Sequence, residues 1–443
     1  MAAESGRLSQ NLQCAVLSLS NGANASACCI FPRNSHQVAA TIQLLNELEV
    51  CFQVTTANGP SNEHESIGRT TASICLENIN DITPYLSIGA VWLGVGALYG
   101  AVYPALERYG WLVPGSRSAT TSVGAHILSG GFSWFANELG WTCDQIQEAE
   151  IVTPAGRSHR ELFRAIKGSC GSLGIITKVK FGLKPAARIH FDTFCYDVEA
   201  APAVFGALQK ITDITRAPHA QGYVTATWTQ GLHEWMVITH LSDTRGMIAF
   251  AELDAFTTIP PATAASRDTK ASVAAIANDN EAPQGLRHCQ CTLTCQMSAD
   301  IMSSLFDIAK DWVSNTEMDV RSVFKILFQP LTASHISHGK NSNAFELDER
   351  DGPLLVIRAE LWWFGEGEDD YFEESLVDLI TLWTFQLGTI AARHEFVYPN
   401  YAGRHQNPCD SRSEEAKARM EPVRARYDPD KVWERLVVGG RHV

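Results

Sequence analysis

The feature that most constrains this chain is the stretch beginning at Pro114, where glycines cluster beside apolar, β-branched residues. It reads VGAHILSGGFSWFANELGW (Val123 to Trp141), CDQIQEAEIVTPAGR (Cys143 to Arg157) and GSCGSLGIITKVKF (Gly168 to Phe181). An alternating strand, EAEIVTPAG, lies between the two glycine groups. Glycines in this setting mark places where backbone approaches something closely or takes φ > 0. A pyrophosphate is held in that way, by backbone N–H groups in a concave turn rather than by a cluster of lysines. The stretch therefore points to a bound, dinucleotide-like cofactor.

Length and charge narrow the surroundings of that site. The chain has 443 residues, and single cores stop growing near 250–300 residues, so two or more folded units are expected. Its formal charge of −14, with no compensating Lys/Arg run, argues against a nucleic-acid or anionic-membrane partner. No apolar stretch approaches the length of a bilayer span. The start, MAAESGRLSQNLQCAVLSLS, lacks the basic opening and longer apolar region of a secretory signal. A cytoplasmic protein with reduced thiols is the expectation. Twelve cysteines are scattered through it. The cluster HCQCTLTC (His288 to Cys295) invites a zinc site, yet Cys-x2-Cys pairs are missing. Cys289, Cys291 and Cys295 instead share one face of a strand by period two, so a buried strand face is expected and no metal.

Along the chain, CCIFPR (Cys28 to Arg33) reads as a short strand stopped by Pro32. Ser35 then caps a helix carrying Val38, Ile42, Leu45 and Leu48 at helical spacing. CFQVTT (Cys51 to Thr56), ASICLENIND (Ala72 to Asp81) and GAVWLGVGA (Gly89 to Ala97) are further strands. LYGAVYPALERYG follows as a helix with Leu98, Val102, Leu106 and Tyr109 on one face and Gly110 as its stop. From Ile189 to about Arg393 the texture changes to strand-like runs such as YVTATWTQG, EWMVITHLS and LLVIRAELWWF, with helices between them. That pattern predicts a half-buried antiparallel sheet. The segment Pro260 to Gly285 is poor in large apolar residues and reads as a surface excursion. The tail is helix, loop and helix, with Pro422 expected to end or kink the first of these.

Six segments taken in order carry a resemblance to a known family. They are GVGALYGAVYPAL (Gly94 to Leu106), VGAHILSGGFSW, EAEIVTPAGR, GSCGSLGIIT, the NY of YPNYAG (Tyr398 to Gly403) and RYDPDKVWERL. Together they resemble the flavin-dependent oxidoreductases of the vanillyl-alcohol oxidase superfamily, in particular the berberine-bridge-enzyme-like branch of fungal secondary metabolism. The resemblance implies an α+β chain in three parts. A two-subdomain, PCMH-type FAD-binding domain would span 28–187. A substrate domain built on an antiparallel sheet covered by helices would span 188–392, and a C-terminal segment, 393–443, would return to the FAD domain. It implies FAD as cofactor, a small apolar natural-product substrate that loses hydride to the flavin, and molecular oxygen as reoxidant.

Departures from the family pattern bear on how FAD is held. Many relatives attach it to a histidine in an RSGGH-like turn, but here the turn reads TTANG, with Gly59 at that position and His64 five residues on. Bicovalent relatives carry a cysteine four residues before the first glycine of their V-G-G, where this chain has Thr120. Non-covalent FAD is therefore expected. The altered loop also leaves open a non-redox cyclase or dehydratase on the same scaffold, with flavin binding weakened or lost.

The resemblance proposes Ala57, Asn58 and Gly59 as the pyrophosphate cradle, against a plain turn between strands. Val123, Gly124, Ser129, Gly130 and Gly131 would lie against the cofactor, against close packing of backbone segments. Gly171, Gly174 and Ile175 would face its adenine and ribose. His126 is either a proton-handling group by the flavin or a satisfied core histidine. Tyr398, Asn400 and Tyr401 are the catalytic candidates. A tyrosine needs a nearby cation to serve as a base at neutral pH, and Arg393, His394 and Arg404 are the candidates near in sequence. Trp362 and Trp363 are adjacent on a strand, so one faces the core and the other the opposite side.

Overall fold

The computed structural model describes residues 28–56, 71–153, 167, 174–212, 218–246, 254–280, 283, 285–339, 343–345, 347–412 and 414–438. Strands β1 (Cys28–Ile30), β2 (Phe52–Thr55) and β3 (Ala72–Cys75) form a parallel sheet in the order β1-β3-β2. Helix α1 (Ser35–Glu47) connects its first two strands, burying Val38, Thr41, Ile42 and Leu45. Its N-cap is Asn34, not Ser35: the Asn34 side-chain oxygen accepts the Gln37 N–H at 3.0 Å, which satisfies one of the first-turn donors a helix leaves open.

The expected strand at 72–81 stops at Cys75 and turns through a 3₁₀ segment, Leu76–Asn78. β4 (Ile82–Tyr85), β5 (Ala90–Gly94), β7 (Ile146–Val152) and β8 (Ile175–Gly182) form an antiparallel sheet in the order β4-β5-β8-β7; β6 (Trp111–Leu112) pairs with β9 (Lys184–Pro185). Between β5 and β7 lie α2 (Tyr99–Glu107) and α3 (Val123–Leu128). On α2, Val102 and Leu106 are buried as expected, whereas Tyr109 lies beyond the helix end and is exposed.

An eight-stranded sheet makes up most of the second half. Its strands are β10 (Ile189–Asp197), β11 (Ala220–Thr229), β12 (Glu234–Asp243), β13 (Thr263–Thr269), β14 (Arg287–Gln296), β15 (Val323–Leu331), β16 (Leu354–Trp363) and β17 (Arg393–His394), in the order β13-β10-β12-β11-β15-β16-β14-β17. Every pairing in it is antiparallel. Period-two alternation sorts its residues by face. Val224, Ala226, Phe324, Ile326, Phe328, Ile357, Ala359, Leu361 and Trp363 point to one side. There they meet α4 (Ala201–Thr212), α6 (Ala299–Asn315) and α7 (Asp369–Thr389) in a single apolar core. Cys291 and Cys295 are buried in that core and Cys289 packs against it, as the strand spacing predicts. Among the described residues no group of His, Cys, Asp and Glu is placed to hold a metal.

The segment 260–285 is not a plain excursion. It supplies edge strand β13 and helix α5 (Ala271–Asp279). Its small residues are what let it pack, since Ala271, Ala274 and Ala275 are buried in the N-terminal core. Ser272 donates to the Glu107 carboxylate from both its N–H (3.0 Å) and its hydroxyl (2.6 Å), tying α5 to α2.

In the tail, α8 (Glu414–Tyr427) runs through Pro422. One missing N–H bond does not end this surface helix, although it removes a rung. α9 (Val432–Leu436) then returns to the N-terminal sheet, with Trp433 edge-on to Phe52 at 5.9 Å and Val437 bridged to Phe52. No described helix is long and apolar enough to cross a membrane.

Candidate active site

The inner face of the eight-stranded sheet looks across a cavity of about 680 Å³ to residues 116–132 of the N-terminal half. Rows at period two supply its floor: Tyr223, Thr225 and Thr227 on β11, Met236, Ile238 and His240 on β12, Val323, Lys325 and Leu327 on β15, and Arg358, Glu360 and Trp362 on β16. Ser116, Arg117, Ser118, Thr121, His126 and Phe132 form the opposite wall, and Tyr398, Asn400 and Tyr401 close one end. Trp362 faces the cavity while Trp363 packs on Phe372 at 5.2 Å in the helical core, the division their adjacency predicts.

The NY segment is pinned from several directions. Asn400 donates from Nδ2 to the Tyr398 hydroxyl (2.9 Å), and the Phe132 N–H donates to the same oxygen (3.2 Å). The Asn400 carbonyl accepts from Gln290 Nε2 at 3.0 Å. Trp141 stacks on Tyr398 at 5.2 Å, and Phe132 meets it edge-on at 4.9 Å. Burial and the neighbouring Tyr401 push the Tyr398 hydroxyl well above its ordinary range. Tyr398 is therefore a protonated phenol whose oxygen already accepts two hydrogen bonds. It can donate but is a poor base.

Tyr401 is placed differently. The Arg358 guanidinium carbon lies 4.4 Å from its ring centre, and Arg117 Nη2 lies 3.5 Å from its hydroxyl. These are the cations beside the candidate base. Arg393, His394 and Arg404, near in sequence, are directed elsewhere: Arg404 pairs with Glu373 (3.2 Å), Arg393 with Glu395 (3.6 Å) and His394 with Asp351 (3.9 Å).

Arg358 also pairs with Glu360 Oε2 at 2.8 Å, and His288 Nε2 stands 3.3 Å from Oε1. Burial alone would raise the Glu360 carboxyl, but Arg358, His288 and Lys325 outweigh it and hold it at about 2. Burial, helped by Lys325, Arg117 and Arg267, brings His240 down to about 3. His240 is thus a neutral ring stacked on Tyr223 at 4.6 Å, with Arg117 over the other partner of that stack at 4.7 Å.

His126 lies on the wall of the cavity. Its Nε2 lies 3.1 Å from the Thr142 hydroxyl, its ring meets Tyr99 at 5.4 Å, and burial followed by the Arg117 charge lowers it to about 3. It borders the cavity as a neutral, packed ring and is a weak base.

Gly130 and Gly131 both have φ of +89°. A Cβ on Gly130 would fall 2.5 Å from the Phe345 ring, and one on Gly131 would fall 2.5 Å from His126 Nε2. Close packing inside the protein accounts for both, and the same holds at Gly124, whose Cβ would meet Val95 and Thr56. Val123 is fully buried, Ser129 follows α3, Gly174 precedes β8 and Ile175 opens it. Ala57, Asn58, Gly59, His64 and Gly171 lie outside the described residues. At Thr120 the backbone N–H donates to Asp279 at 2.9 Å, and its hydroxyl lies 3.1 Å from that of Ser118.

An FAD ring system fits this architecture. Ligand cavities of some 300–1,000 Å³ enclose molecules of that size. The wall at 116–121 offers hydroxyls and one guanidinium, while Phe132, Tyr398 and Trp362 offer flat surfaces. Arg117, Lys325, Arg358 and Glu360 escaped the sequence reading. The last three did leave a trace, as charged residues at alternate positions inside otherwise apolar strands. Arg117 left none, because its strand-free segment has no period to betray it.

Comparison with known proteins agrees with this geometry. Residues 26–160 match a family described as an FAD binding domain. The chain is 27% identical to the FAD-dependent monooxygenase sdcF of Emericella nidulans, over 95% of this chain and 91% of that one. Its fold superposes on berberine-bridge-like protein 1 of Physcomitrella patens with a TM-score of 0.77, 15% identity, and coverage of 96% and 97%. Berberine bridge enzyme from Eschscholzia californica gives a TM-score of 0.76 at 14% identity, covering 96% and 91%. An FAD binding domain favours the flavin reading over a scaffold that has lost its cofactor. The chain is an FAD-dependent oxidoreductase with the berberine-bridge-like fold, its cofactor domain in the N-terminal half.

Proposed function

We propose that the protein carries out a two-electron oxidation of a small, flat, oxygenated molecule, with Tyr401 taking the substrate's proton. The observation that supports this most is the Tyr401 phenol beside both the Arg117 and Arg358 guanidinium groups, at the end of the cavity it helps to close. A base carries its negative charge before it takes the proton, and a phenolate oxygen at this position would face two fixed positive charges. Bound FAD supplies the acceptor for the substrate's hydride, and molecular oxygen is the terminal oxidant, leaving as hydrogen peroxide.

The wall residues 116–121, with Phe132, Tyr398 and Asn400, are those that would hold the ring system. Tyr398 offers a hydrogen bond from a phenol that stays protonated. Thr225, Thr227 and Trp362 orient the substrate from the sheet, and the surrounding protein excludes bulk water. This lining is more polar than the apolar substrate expected from sequence requires. FAD is held without a covalent bond on this reading: the described lining of the cavity contains no cysteine, and Thr120 stands at the cysteinyl position.

A second reading is monooxygenation, favoured by the name of the Emericella nidulans relative. Turnover under ¹⁸O₂ separates the two. Hydrogen peroxide formed one-to-one with a product free of ¹⁸O supports the oxidase; ¹⁸O in the product replaces it with the monooxygenase. A Tyr401→Phe enzyme that binds FAD and turns over at the native rate would remove Tyr401 from the mechanism.

A further inference from the structure

The charge inside the cavity runs against the charge of the whole. A protein with a formal charge of −14 has, among the described residues that line its cavity, three cations, Arg117, Lys325 and Arg358, and one carboxylate, Glu360. Arg358 is paired with that carboxylate at 2.8 Å. Arg117 is engaged by Gln329 Oε1 at 2.8 Å, the Tyr401 hydroxyl and the Tyr223 ring. Lys325 has no ion pair among the described residues.

Lys325 lines the sheet side of the cavity. It sits on β15, in register with Thr227 on one neighbouring strand and Glu360 on the other. Its ammonium lies 5.1 Å from the centre of the Trp362 ring. A lysine ammonium facing a cavity is a ready partner for an anionic group brought there by a ligand. Glu360 is shared with Arg358 and His288, so the protein supplies Lys325 with only a part share in one carboxylate.

We propose that Lys325 selects the substrate. It binds an anionic oxygen, a carboxylate or an ionised phenol, on a flat molecule whose ring lies against Trp362. The Thr225 and Thr227 hydroxyls, on the adjoining strand, stand ready for the second oxygen of that group or for a neighbouring hydroxyl. Arg358 and Glu360 cannot take this role, because each neutralises the other. This assignment rests on the cavity being the substrate site of the proposed oxidation, but its test requires no turnover.

The FAD-loaded protein is titrated with 2,4-dihydroxybenzoate and with its methyl ester, following heat release and the flavin absorption band. The native protein is expected to bind the acid about ten- to a hundredfold more tightly than the ester, as a charge-assisted hydrogen bond requires. Lys325→Met is expected to bind the two alike, while Lys325→Arg keeps the preference. Flavin content stays the same in all three. An ester bound as well as the acid, binding of neither up to the solubility limit, or a preference that survives in Lys325→Met would overturn the proposal. So would loss of flavin from Lys325→Met, which would assign the lysine to the cofactor. If acid selectivity holds while no substrate ever reduces the flavin, the redox reading fails and this one stands.

Discussion

Arg358 holds Tyr401 and Glu360 at once, with its guanidinium carbon 4.4 Å from the phenol ring centre and an Nη 2.8 Å from the carboxylate. One cation thus fixes the candidate base and a buried anion that keeps it from swinging away. Arg358→Gln removes the positive charge from Tyr401 and leaves Glu360 to His288 and Lys325. Turnover is expected to fall about a hundredfold, within the range of a compromised general base. Tyr401→Phe should fall as far or further. FAD binding is expected to survive both, so a kcat measured per bound flavin checks the effect on chemistry alone.

Glu360 makes the fold sensitive to acid. Its folded pKa, about 2, lies below the ordinary carboxylate value of 4.5. A depressed carboxyl contributes stability that is present above its unfolded pKa and lost as pH falls through its folded one. The contribution, roughly 3 kcal/mol, is therefore complete at neutral pH and disappears as pH falls from about 4.5 to about 2. Chemical denaturation of native protein and Glu360→Gln at pH 7, 4 and 2.5 reads this directly. The native advantage should be largest at pH 7 and smallest at pH 2.5; a constant difference would show that Glu360 does not stay ionised in the folded protein.

What sequence revealed of the fold and what it hid differ in kind. The β16 run LLVIRAELWWF declared its two faces through alternation alone, and Trp362 and Trp363 lie as adjacency dictates. Alternation is local, so it survives without knowledge of neighbours. The packing of α5 was not legible, because an alanine-rich helix looks like polar filler until its partner, α2, supplies the matching surface. The cations at Tyr401 were missed for a related reason: proximity along the chain suggested Arg393, His394 and Arg404, whereas Arg117 and Arg358 arrive from remote segments. The glycines at 130 and 131 were read as lying against the cofactor, with close packing of backbone segments as the alternative. What approaches them is Phe345 and His126.

Gly131 gives a clean test of that packing. A methyl group there would land 2.5 Å from His126 Nε2, on a backbone with φ of +89°. Gly89 also has positive φ, +61°, but has open space around its missing Cβ. Gly89→Ala should cost only the backbone term, about 1 kcal/mol, and Gly131→Ala that term plus the displacement of a buried ring, about 3 kcal/mol or more in total. Denaturation midpoints of the two variants, compared with native protein, separate the terms. Equal losses would mean that His126 yields freely.

The mode of FAD attachment follows from what stands around Thr120. Its hydroxyl is engaged with Ser118 and its N–H with Asp279 of α5, and no described cavity residue offers a thiol. The two histidines among the described cavity residues are neutral, His240 stacked on Tyr223 and the buried His126 packed against Thr142 and Tyr99. Acid precipitation of the yellow holoprotein should release the flavin band into the supernatant, leaving a colourless pellet. Thr120→Cys should change this only if α5 yields its hold, since Asp279 anchors the backbone at that position. A native pellet that stays yellow would mean a covalent bond to a residue outside the described set, and His64→Ala, which should then release the colour, would identify it.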